Sequence, residues 1–136
     1  MKRVFVDSGG FFALLVPQDV SHDAARQIFL RAEAEHCGLV TTNVVVIETY
    51  ALLLSRTGTG RLAAIGFLDA LERSPIHVER VRRGDEERAV ALVRSHSDKT
   101  YSLCDALSFV VMARLGIGEA MVYERHFREY GRFPIL

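Results

Sequence analysis

Short apolar runs alternate with longer segments of helical spacing along this chain, and that alternation limits the possible folds more than any other feature of the sequence. The first run, Val4-Phe5-Val6, contains only β-branched and aromatic residues, which is typical of a strand covered on both faces. Strands of this kind that alternate with helices indicate a mainly parallel sheet between layers of helices. We therefore predict the α/β class, as a three-layer α/β/α sandwich with a sheet of four or five strands.

The predicted elements fill most of the 136 residues, which we expect to form a single domain over 1–136. Asn43 is expected to cap the third helix, and Gly9-Gly10 to permit a sharp exit from the first strand. Strands are predicted over 4–6, 39–42, 76–81 and 120–123, with a short edge strand at 133–136 as a further candidate. Helices are predicted over 11–15, 22–36, 44–54, 62–71, 85–93 and 102–115.

Composition and charge limit the compartment and the kinds of partner that we expect for this protein. No apolar stretch approaches the ~20 residues that cross a bilayer, and Asp7 interrupts the apolar start too early for a signal peptide, so we expect a cytoplasmic protein without a membrane segment. The two cysteines, Cys37 and Cys104, are expected to be reduced residues of the core. Lysine plus arginine equals aspartate plus glutamate at 17 each, which argues against binding of nucleic acid through a global basic field.

Two acidic residues follow predicted strands directly. Asp7 comes after residues 4–6 and Glu124 after residues 120–123. Ligands collect at the carboxyl ends of parallel strands, so we expect both side chains at the same rim of the sheet. Each has a simpler interpretation when taken alone, since aspartate before Ser-Gly-Gly is common turn chemistry and Glu124 fits a solvated loop.

Two further acids fall on predicted helices. Glu48 is surrounded by apolar residues, and a buried unpaired carboxylate costs several kcal/mol or becomes neutral. It therefore needs a cation, a basic partner such as arginine, or an open cleft. Asp105 follows Ser102 by three positions, which is also the spacing of a helix capping box and is the simpler interpretation of Asp105 alone.

Together, the four acids Asp7, Glu48, Asp105 and Glu124 predict a divalent-cation site. Two carboxylates ~4 Å apart repel by about 4 kcal/mol at an effective dielectric constant of 20, and a bound cation removes this repulsion. A set of oxygen ligands favours Mg²⁺ or Mn²⁺ over zinc. Such a site suits phosphodiester hydrolysis, because the metal can activate water, orient the phosphate and stabilise charge on the leaving oxygen.

Three residues close to these acids in the sequence are candidates for supporting roles. The hydroxyl of Ser8 is suited to contact the metal-bound water or a substrate phosphate, and it is equally suited to forming a turn. Asp98 is expected in a loop near the outer part of the site. Arg125 is suited to bind the phosphates of an RNA backbone, and it fits a solvated basic loop equally well.

Four blocks of the sequence carry a family resemblance: 4–8 (VFVDS), 42–48 (TNVVVIE), 98–106 (DKTYSLCDA) and 122–127 (VYERHF). In this order, and over essentially the whole chain, they resemble the PIN domain, particularly the VapC-like toxins of bacterial and archaeal toxin-antitoxin pairs. The resemblance implies a Mg²⁺- or Mn²⁺-dependent endonuclease acting on RNA, with Asp7, Glu48 and Asp105 among its metal-binding acids.

The resemblance also implies homodimers and, for toxin members, a small antitoxin whose tail fills the acidic cleft. The fourth acid of the family is usually aspartate, whereas this chain has Glu124. The longer side chain moves the carboxylate by about one bond, which affects metal geometry. Family members outside toxin-antitoxin pairs act in RNA processing.

Three other functions compete with this interpretation. A phosphoryl-transfer domain with an aspartate nucleophile is a distant second, because no second acid stands two positions after Asp7. A dinucleotide-binding fold is weaker, since Gly58-x-Gly60 follows a predicted helix and lacks the third glycine. A PIN-like scaffold that has lost its chemistry is the non-enzymatic alternative, suggested by Glu124 and the neutral net charge.

Overall fold

A parallel sheet flanked by helices organises the computed structural model, which describes residues 2–121. The strands are β1 (Arg3–Val6), β2 (Gly38–Thr42), β3 (His77–Glu79) and β4 (Ala120–Met121). The helices are α1 (Ser8–Leu15), α2 (His22–Ala34), α3 (Asn43–Arg56), α4 (Arg61–Arg73), α5 (Arg83–Ser95) and α6 (Leu103–Leu115).

The four described strands lie in the order β3-β2-β1-β4, and every pairing between them is parallel. Phe5 pairs with Val40 of β2 and with Ala120 of β4, which places β1 at the centre of the sheet. The predicted α/β class with a mainly parallel sheet is confirmed. The fifth candidate strand, at 133–136, lies outside the described residues, and the single domain over 1–136 stays a prediction.

Helices cover both faces of the sheet, as the three-layer prediction requires. Val4 packs in a cluster with Ala13 of α1 and Ala25 of α2. The side chain of Phe5 points to the opposite face, because successive residues of a strand alternate, and it shares a cluster with Phe109 and Met112 of α6. Within residues 2–121, no helix combines the length and apolar character needed to span a membrane.

The start of α3 corrects the prediction that Asn43 caps this helix. The cap residue is Thr42, whose side-chain hydroxyl oxygen accepts a hydrogen bond from the backbone N–H of Val45 at 3.1 Å. β2 ends at Thr42, as predicted, but Thr42 itself is the cap, so the helix begins one residue earlier than expected. Asn43 is the first helical residue, and its Oδ1 accepts from the backbone N–H of Val81 at 2.9 Å.

The Gly9-Gly10 pair also differs from its predicted role as a sharp exit from the first strand. Both glycines lie inside α1, which begins at Ser8. A Cβ atom on Gly10 would lie 2.5 Å from the carbonyl oxygen of Met121 and 3.2 Å from a methyl group of Val6. Glycine is required here because α1 runs directly against β4, not because the chain turns.

Candidate active site

Asp7 occupies the junction between β1 and α1 at the carboxyl edge of the sheet, where it was predicted. It is the cap residue of α1, and its Oδ1 accepts a hydrogen bond from the backbone N–H of Gly10 at 2.9 Å. The residue is only 3 % exposed. Its other carboxyl oxygen, Oδ2, is buried and has no hydrogen-bond partner among residues 2–121. An unpaired buried oxygen costs free energy of folding, so we expect this atom to have a partner in the functional protein.

The protonation of Asp7 reflects this environment. Burial, together with the negative charges of Asp105 and Glu48, raises its pKa to about 8, against the lowering effect of hydrogen bonds from the Gly10 and Gly9 backbone N–H groups. Without a cation, Asp7 therefore holds a proton at neutral pH. A cation beside Oδ2 would favour the charged carboxylate and satisfy the unpaired oxygen at once.

Asp105 lies in the first turn of α6, and it forms the predicted capping box with Ser102. The hydroxyl oxygen of Ser102 accepts from the Asp105 N–H at 3.0 Å, and Asp105 Oδ2 accepts from the Ser102 N–H at 3.3 Å. Asp105 is buried, at 4 % exposure, and its charge acts on Asp7. The cap thus anchors the side chain next to the site, so its structural role and a functional role are compatible.

Glu48 lies in the second turn of α3 and is half-buried. The hydroxyl of Ser8 donates a hydrogen bond to Glu48 Oε1, and Ser8 itself is buried. The alternative of a buried Glu48-arginine ion pair is not found among residues 2–121. The candidate supporting residue Ser8 is therefore in direct contact with one of the four predicted acids.

Cys104 belongs to the same group of side chains, although the sequence suggested only a core residue. Burial raises the pKa of its thiol, and the nearby carboxylates of Glu48, Asp105 and Asp7 raise it further, with a hydrogen bond between the thiol and Glu48. The thiol is therefore a neutral group packed against the acids. The sequence feature that indicated a place for Cys104 among these acids is its position directly before Asp105 in the first turn of α6.

The remaining predicted site residues are not brought into this group by the described structure. Glu124 and Arg125 lie outside the described residues. Asp98 is exposed in the turn between α5 and α6, and its proposed role in the outer part of the site stays a prediction.

The described acids are neighbours, but they do not form a ready-made ion cage. Among residues 2–121, no three histidine, cysteine, aspartate or glutamate side chains are grouped so that they could hold a metal together. The chemistry of the donors nevertheless suits a hard divalent ion, since Asp7, Glu48 and Asp105 offer only oxygen. The buried, unpaired Oδ2 of Asp7 is the observation that most directly fits such an ion.

The chain that forms this parallel sheet, with acids at its carboxyl edge, also matches a family model over nearly its whole length. Residues 4–132 match the model of the PIN domain, and the chain belongs to the PIN domain family. Among its relatives is the 23S rRNA-specific endonuclease VapC20 from two strains of Mycobacterium tuberculosis, 30% identical over 128 residues that cover 94% of each chain.

Solved structures agree with this assignment. The crystal structure of Mycobacterium tuberculosis VapC20, a Sarcin-Ricin loop cleaving toxin, has a TM-score of 0.84 and 32% sequence identity, and the match covers 95% of both chains. The structure of VapBC2 from Rickettsia felis, bound to a DNA fragment from their promoter, has a TM-score of 0.68 over 98% of this chain and 97% of that chain. At 9% identity, this second likeness concerns the fold alone.

Proposed function

We propose that this protein is a divalent-metal-dependent endoribonuclease and the toxin of a toxin-antitoxin pair. The observation that carries the proposal is the buried, unpaired Oδ2 of Asp7 beside the charges of Glu48 and Asp105. It stands in a PIN-domain chain that is 30% identical to an rRNA endonuclease over 94% of its length. The substrate we propose is a structured RNA, with large-subunit ribosomal RNA as the first to test.

Asp7, Glu48 and Asp105 are the residues that would hold the ion, with Glu124 as a proposed fourth ligand. Mg²⁺ or Mn²⁺ suits this set of oxygen donors. When bound, such an ion makes water a better nucleophile at neutral pH and stabilises negative charge on the phosphate and the leaving oxygen.

The chain's own residues hold the three acids in place and give the site its local electrostatic field. The Gly10 N–H fixes one oxygen of Asp7, the Ser102 N–H fixes Asp105, and Ser8 fixes Glu48. Two helices, α1 and α6, are capped by Asp7 and Ser102, so their positive ends lie next to these acids and favour an approaching phosphate. The RNA backbone therefore meets fixed carboxylates and helix N-termini, an arrangement suited to in-line hydrolysis.

The experiment that tests this function is cleavage of purified ribosomal RNA and other structured RNAs in Mg²⁺, Mn²⁺ or EDTA, with any bound partner protein removed. We expect discrete products in either metal, none in EDTA and none with Asp7→Asn. Intact RNA in every lane, from folded protein free of its partner, would overturn the nuclease proposal. It would favour the catalytically inactive PIN-like scaffold instead.

An apolar groove supports the proposed antitoxin partner. It has a volume of ≈ 550 Å³ and lies between α1, α2 and α4. Leu15 and Leu30 at the groove are 37% and 51% exposed, and exposed apolar patches of this kind mark protein-protein contacts. We propose that an apolar segment of the antitoxin covers this groove while its tail reaches the acids.

A second apolar surface supports the proposed homodimer. Ile47 is 66% exposed and Leu54 44% exposed, and their seven-residue spacing places them on one side of α3. We propose that this side of α3 packs against a second copy of the chain. Light scattering of the purified protein measures the mass and would contradict the dimer if only monomer were found.

A further inference from the structure

A largely buried network of ion pairs and hydrogen bonds joins the end of α6 to the start of α5 and the end of β3. Arg114, in the last turn of α6, donates from Nε to Asp85 Oδ1 at 2.9 Å and from Nη2 to Asp85 Oδ2 at 2.8 Å. Its Nη1 donates to Glu79 Oε2 at 2.8 Å, and Nη2 also lies 3.4 Å from the Arg80 carbonyl oxygen. Asp85 is fully buried. The guanidinium is thus held on three sides.

The same network continues to the start of α3. Asp85 Oδ2 accepts from the backbone N–H of Arg82 at 2.9 Å, which fixes the segment between β3 and α5. The backbone N–H of Val81, the preceding residue, donates to Asn43 Oδ1 at 2.9 Å. Hydrogen bonds, joined by the backbone between Val81 and Arg82, therefore connect Arg114 on α6 to Asn43 on α3.

These two helices each carry one of the proposed metal-binding acids. Glu48 lies on α3 after Asn43, and Asp105 lies on α6 ahead of Arg114. The two carboxylates carry like charges, so the protein must hold their helices together against repulsion. Bidentate hydrogen bonds between arginine and a carboxylate add geometric specificity to the apolar packing of these helices.

We propose that Arg114 and Asn43 are positioning residues, which set the spacing of α6 and α3 and thereby of the carboxylates of Asp105 and Glu48. This inference rests on the proposed metal-dependent function. The competing interpretation is that the network contributes only to stability. Buried ion pairs often add no stability over well-packed apolar residues, and this network joins the two helices that carry Asp105 and Glu48, which supports the positioning role.

The test is the affinity for Mn²⁺, measured by electron paramagnetic resonance on folded protein free of its partner. Arg114→Met removes the ion pairs, and Asn43→Ala removes a single hydrogen bond with little change of volume. We expect both to weaken Mn²⁺ binding, by about tenfold for Arg114→Met, the lower end for loss of a group that orients metal ligands. Cleavage at saturating Mn²⁺ should recover more than cleavage at low Mn²⁺.

Two control variants separate positioning from stability. Arg88 also faces Asp85, at 3.9 Å, but its side chain is 68% exposed, so Arg88→Met should leave Mn²⁺ affinity unchanged. Leu68→Ala removes apolar contacts of α4 with the core and should lower the free energy of unfolding without affecting Mn²⁺ affinity. Urea unfolding of each variant gives the stability for comparison.

The outcomes distinguish this inference from the function on which it rests. Wild-type Mn²⁺ affinity in both Asn43→Ala and Arg114→Met would overturn the positioning role while leaving the nuclease proposal intact. If Arg114→Met does not fold, wild-type affinity in Asn43→Ala alone overturns it. Absence of Mn²⁺ binding by the wild-type protein would instead contradict the proposed function itself.

Discussion

Asp7 is subject to two opposing requirements at the scale of the single residue. As a helix cap it needs an oxygen that accepts the Gly10 N–H, which asparagine would supply equally well. As a proposed metal ligand it needs a charge, which its buried position disfavours. An aspartate in this environment is suited to a cation and costs stability when the cation is absent.

Asp7→Asn should therefore stabilise the metal-free protein while abolishing Mn²⁺ binding. The pKa of Asp7 is raised from 3.8 to about 8, so the native state holds more protons than the unfolded state between these values, and stability falls as pH rises through this window. Urea unfolding in EDTA at pH 5 and pH 8 measures the effect. We expect wild type to lose on the order of 3 kcal/mol between them relative to Asp7→Asn.

Asp69→Asn is a suitable control for this measurement, since Asp69 is exposed on α4. It should follow the wild-type pH dependence. Equal pH dependence in wild type and Asp7→Asn would show that Asp7 is already charged without metal and would contradict a pKa raised by burial.

At the scale of elements, the buried Asp85-Arg114 pair connects α5 with α6. Burial would raise the pKa of Asp85, but hydrogen bonds from Arg114 and the Arg82 N–H, with the positive charges of both arginines, hold that pKa below its usual value. An aspartate with a lowered pKa stabilises the fold above its unfolded pKa, and this stabilisation disappears as pH falls through the folded pKa.

Arg114→Met should lower the free energy of unfolding by about 3 kcal/mol at pH 7, because it leaves Asp85 buried without its main partner. The difference from wild type should shrink below about pH 4, where Asp85 becomes protonated in the unfolded chain. Chemical denaturation at pH 7 and pH 3 checks this. A difference that stays constant over the whole pH range would contradict the assigned role of the ion pair.

Some of the strands, helices and caps could be predicted from the sequence, and others could not. Strands β1 and β2 and helix α6 were predictable, because apolar runs and the Ser102-Asp105 cap are local patterns. The sequence places the cap of α3 one residue too late, because Thr42 and Asn43 are both good caps. Only the structure shows the hydrogen bond from the Val45 N–H to the Thr42 hydroxyl that decides between them. The contact of Gly10 with β4 depends on tertiary packing, so no local pattern indicates it.

In the candidate site, too, some features could be predicted from the sequence and others could not. Asp7 and Asp105 could be placed because strand ends and helix caps fix their position along the chain. The contacts of Cys104 with Glu48 and of Arg114 with Asp85 join distant segments. Sequence spacing carries no information on such pairs. Hydropathy made Glu48 conspicuous, but only the structure gives its contact with Ser8.

For the whole molecule, the acids at the sheet edge and the apolar groove between α1, α2 and α4 are separate surfaces, since Asp7, Glu48 and Asp105 do not line the groove. The proposed RNA and the apolar segment of the proposed antitoxin therefore have different contacts. Substitutions in the groove should affect inhibition by the partner without affecting catalysis.

Leu30→Glu should weaken the complex with the antitoxin at least tenfold, because it places a charge in an apolar interface, and should leave RNA cleavage by the isolated protein unchanged. Leu62→Glu is the matched control: Leu62 is more exposed, at 76%, and lies at the start of α4 outside the groove. Co-purification of a tagged antitoxin measures the effect. Equal retention by both variants would exclude the groove as the binding surface.

The close approach of Gly10 to Met121 has a genetic consequence. Gly10 donates to the carboxylate of Asp7 and also leaves room for the Met121 carbonyl oxygen, so even alanine at this position would displace the cap of the site or the strand beside it. In a selection for cells that survive expression of the proposed toxin, inactivating alleles should accumulate at codon 10 as well as at the codons for the acids. The mutational target for escape is thus wider than the set of groups that perform the chemistry.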